Sequence, residues 1–374
     1  MLSLKHLNNP LRQRPSHLAG KFCCGQGCAR QRAFPLLRIL FLSVGLGALV
    51  GSAGMLLPGQ FLKAAAAQEP QAQQVRFIPQ WQPQAQFAGY YVAYEKGFYR
   101  EQGLKVEVLR GGPGWSPPEM LKQGRADFGT LLLSAGIVRR ARGLKLVNIC
   151  QLAQHSALML VAKKASGITK PQDINGKRVG VWGEDFKGQI DAFLRKFNLQ
   201  VQTVPQGTTM NLFLRGGVEV ASAMGYNEYH LLLDAGLNPD ELTTFSMADY
   251  GFDFPEGGIY CLEQTYKDKP QVCRAFVRAS IAGWQYAFAH PEEALNIVMK
   301  YVDAAHVPTD RVHQKWMLEH LRPLILDPGS GRPVGVLNRE DYYRTAAALK
   351  MDGTIKAIPD FSQFYHDGAN TDEN

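Results

Sequence analysis

The residues best equipped for chemistry in this chain of 374 residues gather first in the stretch WQPQAQFAGYYVAYEKGFYREQG, residues 81–103. Trp81, Gln84, Gln86 and Tyr90 combine ring faces with amide groups. That is the equipment for holding a flat heterocycle, which needs a stacking face and donors and acceptors along its edge. Tyr94, Phe98 and Tyr99 suit a different task, packing a helix onto a sheet. In VGVWGEDFKG, Trp182 stands beside a helix start that Asp185 can cap, where free N–H groups could meet an anionic or carbonyl group. Trp182 reads equally well as core. In AMGYNEYH, Tyr226, Asn227 and Glu228 stand where a strand runs into a helix, so they either cap it or reach a ligand. SMADYGFDFPEGG gathers Asp249, Tyr250 and Asp253, for ligand contact or for hinge geometry. GGPGW, residues 111–115, lacks the Gly-Lys-Ser/Thr ending of a phosphate loop and reads as a turn, with Trp115 as a pocket wall.

Other chemistries lack their signals. The nine histidines show no H-E-x-x-H and no paired spacing beside acids, and His155 reads as a loop or core residue, so no metal and no cofactor is expected. No Gly-x-Ser-x-Gly marks a hydrolase. The net charge of +8 suggests a nucleic-acid or membrane partner until it is located: residues 1–67 carry eight of the 41 Lys and Arg and none of the 33 Asp and Glu, so the remainder holds 33 of each. The body of the chain is neutral and has no electrostatic footprint for nucleic acid.

Those first residues have the order of an export signal. A basic stretch precedes the apolar run Leu36–Leu57, and LKAAAAQEP then offers an A-x-A-like cleavage site that places the mature start near Gln68. The alternative is an uncleaved anchor, because the run approaches the roughly 20 residues that span a bilayer. Cys23, Cys24 and Cys28 would leave with the leader. Of Cys150, Cys261 and Cys273, at most one pair can bridge, with Cys261 and Cys273 the nearer in sequence, and buried free thiols are the equal alternative.

The elements that must position these residues alternate from residue 73 between short β-rich runs and helical segments, an α/β pattern. QVRFIP, LKVEVLR, DFGTLLL, KLVNICQLA and SALMLVAKK read as strands, with a helix from about Ala88 ended by Gly97 or Gly103. After SGITKPQDINGK a second series follows, with strands at RVGVW, VQTVPQ and VASAMGY and helices at DFKGQIDAFLRKF, MNLFLRGG and NEYHLLLDAG. GGIYCLE reads as a return strand, and from Lys269 the chain reads as helical almost to its end.

Taken in order, WxPxxxFxGxYxA, EKGFY, GRADFGT, PQDINGKRVGVW, MGYNEYHLLLDAGL and RAFVRASIAGWQYAFAHPEEAL resemble the solute-binding proteins of ABC importers. Within them, the chain is similar to the group of thiamine-pyrimidine-precursor, riboflavin and alkanesulfonate, nitrate or taurine receptors. The resemblance implies a two-lobed type II periplasmic-binding-protein fold with mixed sheets and two crossover segments: lobe one at 72–162 plus 260–374, lobe two at 163–259. It implies a monomeric periplasmic receptor that takes a small-molecule ligand, a pyrimidine thiamine precursor or a flavin-like solute, between its lobes and hands it to permease and ATPase subunits. It also tips Tyr226, Asn227 and Glu228 toward the ligand. The alternative is a pyrimidine-biosynthesis enzyme on the same fold. Related receptors carry Asn and His at positions matching Gln84 and Phe87, and in the fungal enzymes that His is consumed in the reaction, so Phe87 speaks for a non-enzymatic protein.

Overall fold

The structure is a computed structural model, and it describes residues 72–329 and 331–368. The expected leader at 1–67, its cleavage site and its three cysteines lie outside the described residues. Among the described residues no helix is long and apolar enough to cross a membrane.

The first half of the chain runs β1 (Gln73–Ile78), α1 (Ala88–Glu95), α2 (Phe98–Glu101), β2 (Leu104–Val108), α3 (Pro117–Lys122), β3 (Phe128–Leu131), α4 (Leu133–Ala141) and β4 (Leu146–Gln151). A second series follows: β5 (Leu158–Lys163), β6 (Arg178–Val181), α5 (Glu184–Lys196), β7 (Gln202–Pro205), α6 (Asn211–Leu214), β8 (Val220–Met224), α7 (Glu228–Asp234) and β9 (Leu242–Ser246). The chain returns through β10 (Gly258–Leu262) and ends in α8 (Glu263–Asp268), α9 (Pro270–Ala289), α10 (Pro291–Ala304), α11 (Arg311–Leu326), α12 (Arg339–Met351) and α13 (Phe361–Phe364).

Two five-stranded mixed sheets result. The first has the order β2-β1-β3-β10-β4, with β10 antiparallel to both its neighbours; the second has the order β7-β6-β8-β5-β9, with β5 antiparallel to both of its own. Each sheet therefore takes one strand from the chain's passage between lobes. Residues 158–162, which the resemblance places in lobe one, belong to β5, and β5 pairs over its whole length with β8 and β9 of the second sheet. The crossings are residues 152–157 and 247–257. Strand β9 was not anticipated, because LTTFS is short and half polar; it pairs only through β5, at the sheet's edge.

The aromatic stretch is divided between packing and cavity. Tyr99 stacks on Phe276 at 5.1 Å between ring centroids, Phe276 stacks on Phe128 at 4.4 Å, and Phe98 meets Tyr286 edge-on at 5.8 Å, so Phe98 and Tyr99 fasten α1, α2 and α9 to the first sheet. Tyr94, expected in that packing, is 44% exposed. Helices α1 and α9 touch through glycines: a Cβ on Gly89 would fall 2.2 Å from Cγ of Trp284, and one on Gly283 would fall 2.1 Å from the Gly89 carbonyl oxygen. Two bare backbones let the helices close up and seat the Trp284 indole between them. Gly97 (φ +84°) ends α1 and Gly103 (φ +72°) follows α2, so both expected stops act as stops in the left-handed conformation that glycine adopts freely. Cys150, Cys261 and Cys273 are free and buried, which decides between bridge and thiols for this region.

Candidate functional site

The loop leaving β1, the end of β8 and the second crossing meet in one cavity between the two sheets. Gln80, Gln86, Phe87 and Tyr90 line it from lobe one, with Thr130 of β3 and Trp284 of α9; Tyr226 lines it from lobe two and Glu256 from the crossing. Three of its lining residues are aromatic, with Tyr90 packed against Phe77 at 4.6 Å and at a T-shaped angle to Trp284 at 6.0 Å, and Phe87 also in the lining. Leu321 and Ile325 of α11 complete the apolar part.

The polar part is a chain of bonds that crosses from lobe to lobe. Gln84 Nε2 donates to Gln86 Oε1 (2.8 Å), Gln86 Nε2 donates to the Tyr226 hydroxyl (3.1 Å), and that hydroxyl donates to Glu256 Oε2 (3.4 Å). The loop carrying Gln84 and Gln86 is itself pinned to α11, where Gln314 Oε1 accepts from Ala85 N at 2.6 Å. Glu256 also ties the two crossings together: its Oε1 accepts from Ala157 N (2.6 Å) and from the Ser156 hydroxyl (3.2 Å). Burial away from water dominates its titration and pushes it up to about 8 against those bonds, so at neutral pH it carries a proton. The cavity wall is then uncharged. Two of its groups still seek partners: Gln80 Oε1 is buried with none, and the Trp284 indole N–H makes at most a weak interaction with the Tyr90 phenol. A buried acceptor and donor of this kind cost free energy until something bonds them.

The cavity volume is about 30 Å³. That is room for roughly two waters. A ring can enter only if the lobes part, and the Gln86–Tyr226 bond is among those that must break.

Three of the eleven residues singled out from sequence, Gln86, Tyr90 and Tyr226, line this cavity, and Gln84 is one hydrogen bond away from it. The others are placed elsewhere. Trp81 is half-buried and packs on the core. Trp115 is 40% exposed with the Arg125 guanidinium 6.0 Å from its ring centroid. Trp182 rests on Phe186 and donates to the Gly207 carbonyl oxygen at 3.2 Å. Asp185 does not cap α5, whose cap position is Gly183; it pairs with Arg139 across a polar hollow of about 300 Å³ between α4, α5 and α12. Tyr250 is packed edge-on between Phe193 (5.1 Å) and Phe197 (5.3 Å) in lobe two. Glu228 is half-buried, accepts from Met224 N (3.0 Å) and Asn227 Nδ2 (2.7 Å), and is pushed by desolvation up to about 7; it secures the turn out of β8. Asn227 meets His313 of α11 through its Oδ1 at 2.9 Å.

Asp253 serves the hinge, accepting from Ser156 N (2.7 Å) and meeting His155 Nδ1 (2.7 Å), while His155 Nε2 lies 3.2 Å from Asp327. Those carboxylates, Asp253 foremost, hold the His155 imidazole up at about 9. Gln80, Glu256 and Trp284 were not foreseen. Glu256 had a signal, an acid between the proline and paired glycines of FPEGG beside the expected crossing; Trp284 had none, being one more apolar position on a long helix.

The chain matches the family model described as NMT1/THI5 like over residues 84–294. It is 25% identical over 313 residues to the riboflavin-binding protein RibY of Chloroflexus aurantiacus, covering 79% of this chain and 86% of that one. It is 24% identical over 246 residues to the 4-amino-5-hydroxymethyl-2-methylpyrimidine phosphate synthase of Uromyces fabae, covering 59% and 69%. Its fold is that of the periplasmic aliphatic sulphonate binding protein SsuA from Escherichia coli, with a TM-score of 0.59 at 15% identity, covering 82% of this chain and 95% of that one.

Proposed function

The chain belongs to the NMT1/THI5-like family, and from that premise we propose that it is the substrate-binding receptor of an ABC importer, exported to the periplasm, which captures an uncharged heterocycle containing a pyrimidine-type ring and delivers it to a permease. The observation that carries this reading is the interlobe cavity, where the aromatic side chains of Phe87, Tyr90 and Trp284 stand around the buried Gln80 Oε1, which has no partner among the described residues, beside a protonated Glu256. A ring that presents alternating donors and acceptors along one edge satisfies those groups while its faces stack. RibY is named for a flavin, whose ring system contains such an edge. A sulfonate fits poorly, because among the described residues no Lys or Arg lines the cavity to offset its charge.

The second reading, a synthase like the Uromyces protein, is disfavoured by Phe87. It lines the cavity as a hydrocarbon ring with no nitrogen to give.

The test is a thermal-shift screen of protein unfolded and refolded to strip carried-over solute, against aminopyrimidines, thiamine precursors, flavins, purines and alkanesulfonates. A ligand at 100 times its Kd should add about 2.7 kcal/mol. A shift with one heterocycle that falls in Tyr226→Phe and disappears in Trp284→Ala, with intact-protein mass unchanged after incubation, supports the receptor. A response to sulfonates alone overturns the ligand class, and loss of mass at a side chain supports the enzyme.

A further inference from the structure

At the outer part of the lobe boundary, away from the cavity lining, three side chains converge that are far apart in sequence. His230 and Asp234 stand one turn apart on α7 of lobe two, and His313 stands in the first turn of α11 of lobe one, where Asp310 Oδ1 caps the helix by accepting from His313 N at 2.9 Å. His230 Nδ1 is 2.9 Å from His313 Nδ1 and 3.0 Å from Asp234 Oδ2, and His313 Nδ1 is 3.9 Å from that same oxygen.

We propose that His230, Asp234 and His313 form a divalent-metal site, suited to zinc, that staples lobe two to lobe one.

Tautomer, spacing and access all favour it. Asn227 Nδ2 donates to Glu228 Oε1 at 2.7 Å, which leaves Asn227 Oδ1 facing His313 Nε2 at 2.9 Å. An amide oxygen can only accept, so Nε2 carries the imidazole proton and Nδ1 presents its lone pair to His230 and Asp234. This is the arrangement by which an outer partner orients a metal-bound histidine. Two imidazole Nδ1 atoms 2.9 Å apart must share a hydrogen or a metal ion, and His230 Nδ1–H donating to the His313 lone pair, or a divalent ion in place of that hydrogen, both serve. With metal bonds of about 2.0–2.1 Å, ligand atoms at tetrahedral corners lie about 3.3–3.4 Å apart, and the three observed edges straddle that spacing. Both histidines are buried, and the Trp316 ring, 4.6 Å from that of His230, closes one side, while Asp234 is 44% exposed and leaves a fourth corner open to water. The histidine spacing carries no metal signal in sequence because the set is completed only across lobes, 83 residues apart.

Metal binding would displace the proton held between the imidazoles and release it. Since the ligand atoms come from both lobes, the ion binds the closed form and favours it, and by reciprocity whatever closes the lobes tightens the metal. The site itself stands whether or not the receptor reading holds.

The experiment is a titration of the untagged, chelator-stripped full chain with Co²⁺ or Zn²⁺ alone. The expected result is one tight equivalent, with the intense visible absorption of four-coordinate cobalt, displaced by zinc, and a raised Tm. Asp234→Asn, an isosteric change at an exposed position, and His313→Gln should each weaken it by about 100-fold or more, while His320→Gln, exposed on the same helix, leaves it unchanged. Circular dichroism checks that each variant is folded. Cobalt that stays six-coordinate, or an equivalent that binds the Asp234→Asn and His313→Gln proteins as tightly, overturns the site.

Discussion

Glu256 is where electrostatics, hinge and cavity meet in one side chain. One carboxyl oxygen holds Ala157 N and Ser156, and the other faces Tyr226 at the cavity wall. Its folded-state value of about 8 lies above the ordinary value of 4.5. The folded protein therefore holds this proton more tightly than the unfolded chain. The resulting stability is fully present below about 4.5 and is lost as pH rises through about 8. Melting temperature should fall as pH rises from about 5 to 8, with this contribution levelling off above that, and Glu256→Gln, which keeps an uncharged acceptor there, should flatten that fall. An equally steep fall in the variant would refute the assignment. Much of this site was hidden in the sequence. Gln86, Tyr90 and Tyr226 were legible because a strand-to-helix loop in an α/β fold faces a cleft. Trp81, Trp115 and Trp182 had the right chemistry but a backbone that turns each ring onto core, surface or Phe186, which residue type does not encode.

At the scale of elements, α1 and α9 decide whether Trp284 reaches the cavity at all. Their contact is backbone against backbone at Gly89 and Gly283. Gly283→Ala would set a methyl group 2.1 Å from the Gly89 carbonyl oxygen, so the helices must separate. A loss of roughly 1–3 kcal/mol, the usual cost of overpacking, should appear in chemical denaturation. Ligand affinity should fall further than Tm suggests, because the indole moves with its helix. Retained affinity at reduced stability would mean that Trp284 only packs. Local pattern revealed nearly all these helices and strands, since period and glycine stops are local signals. It found β5 as a strand without revealing its sheet, and overlooked β9, for a shared reason. Membership of a sheet depends on partners, and the partners of β5 lie some 60 and 85 residues away in β8 and β9.

For the molecule as a whole, the small cavity and the interlobe bonds are two sides of one equilibrium. The lobes meet through Gln86–Tyr226, through the Trp316 indole donating to the Gly225 carbonyl oxygen at 3.1 Å, and through His313 meeting Asn227 Oδ1 at 2.9 Å. Each such bond contributes only about 0.5–1.5 kcal/mol net. A handful of them makes closure a matter of a few kcal/mol rather than permanent, and about 30 Å³ admits no ring while they hold. Ligand must then enter an open form and add contacts to both lobes to favour the closed one, which is population shift by differential affinity. Small-angle scattering should give a larger radius of gyration for stripped protein than for the arrangement described here, contracting when a heterocycle saturates the cleft. Replacing Trp316 by Phe removes a bond between lobes without touching the cavity lining. It should shift stripped protein further open and speed ligand release several-fold, leaving association nearly unchanged. If scattering is the same with and without a saturating ligand, hinge closure is not how this protein retains its solute.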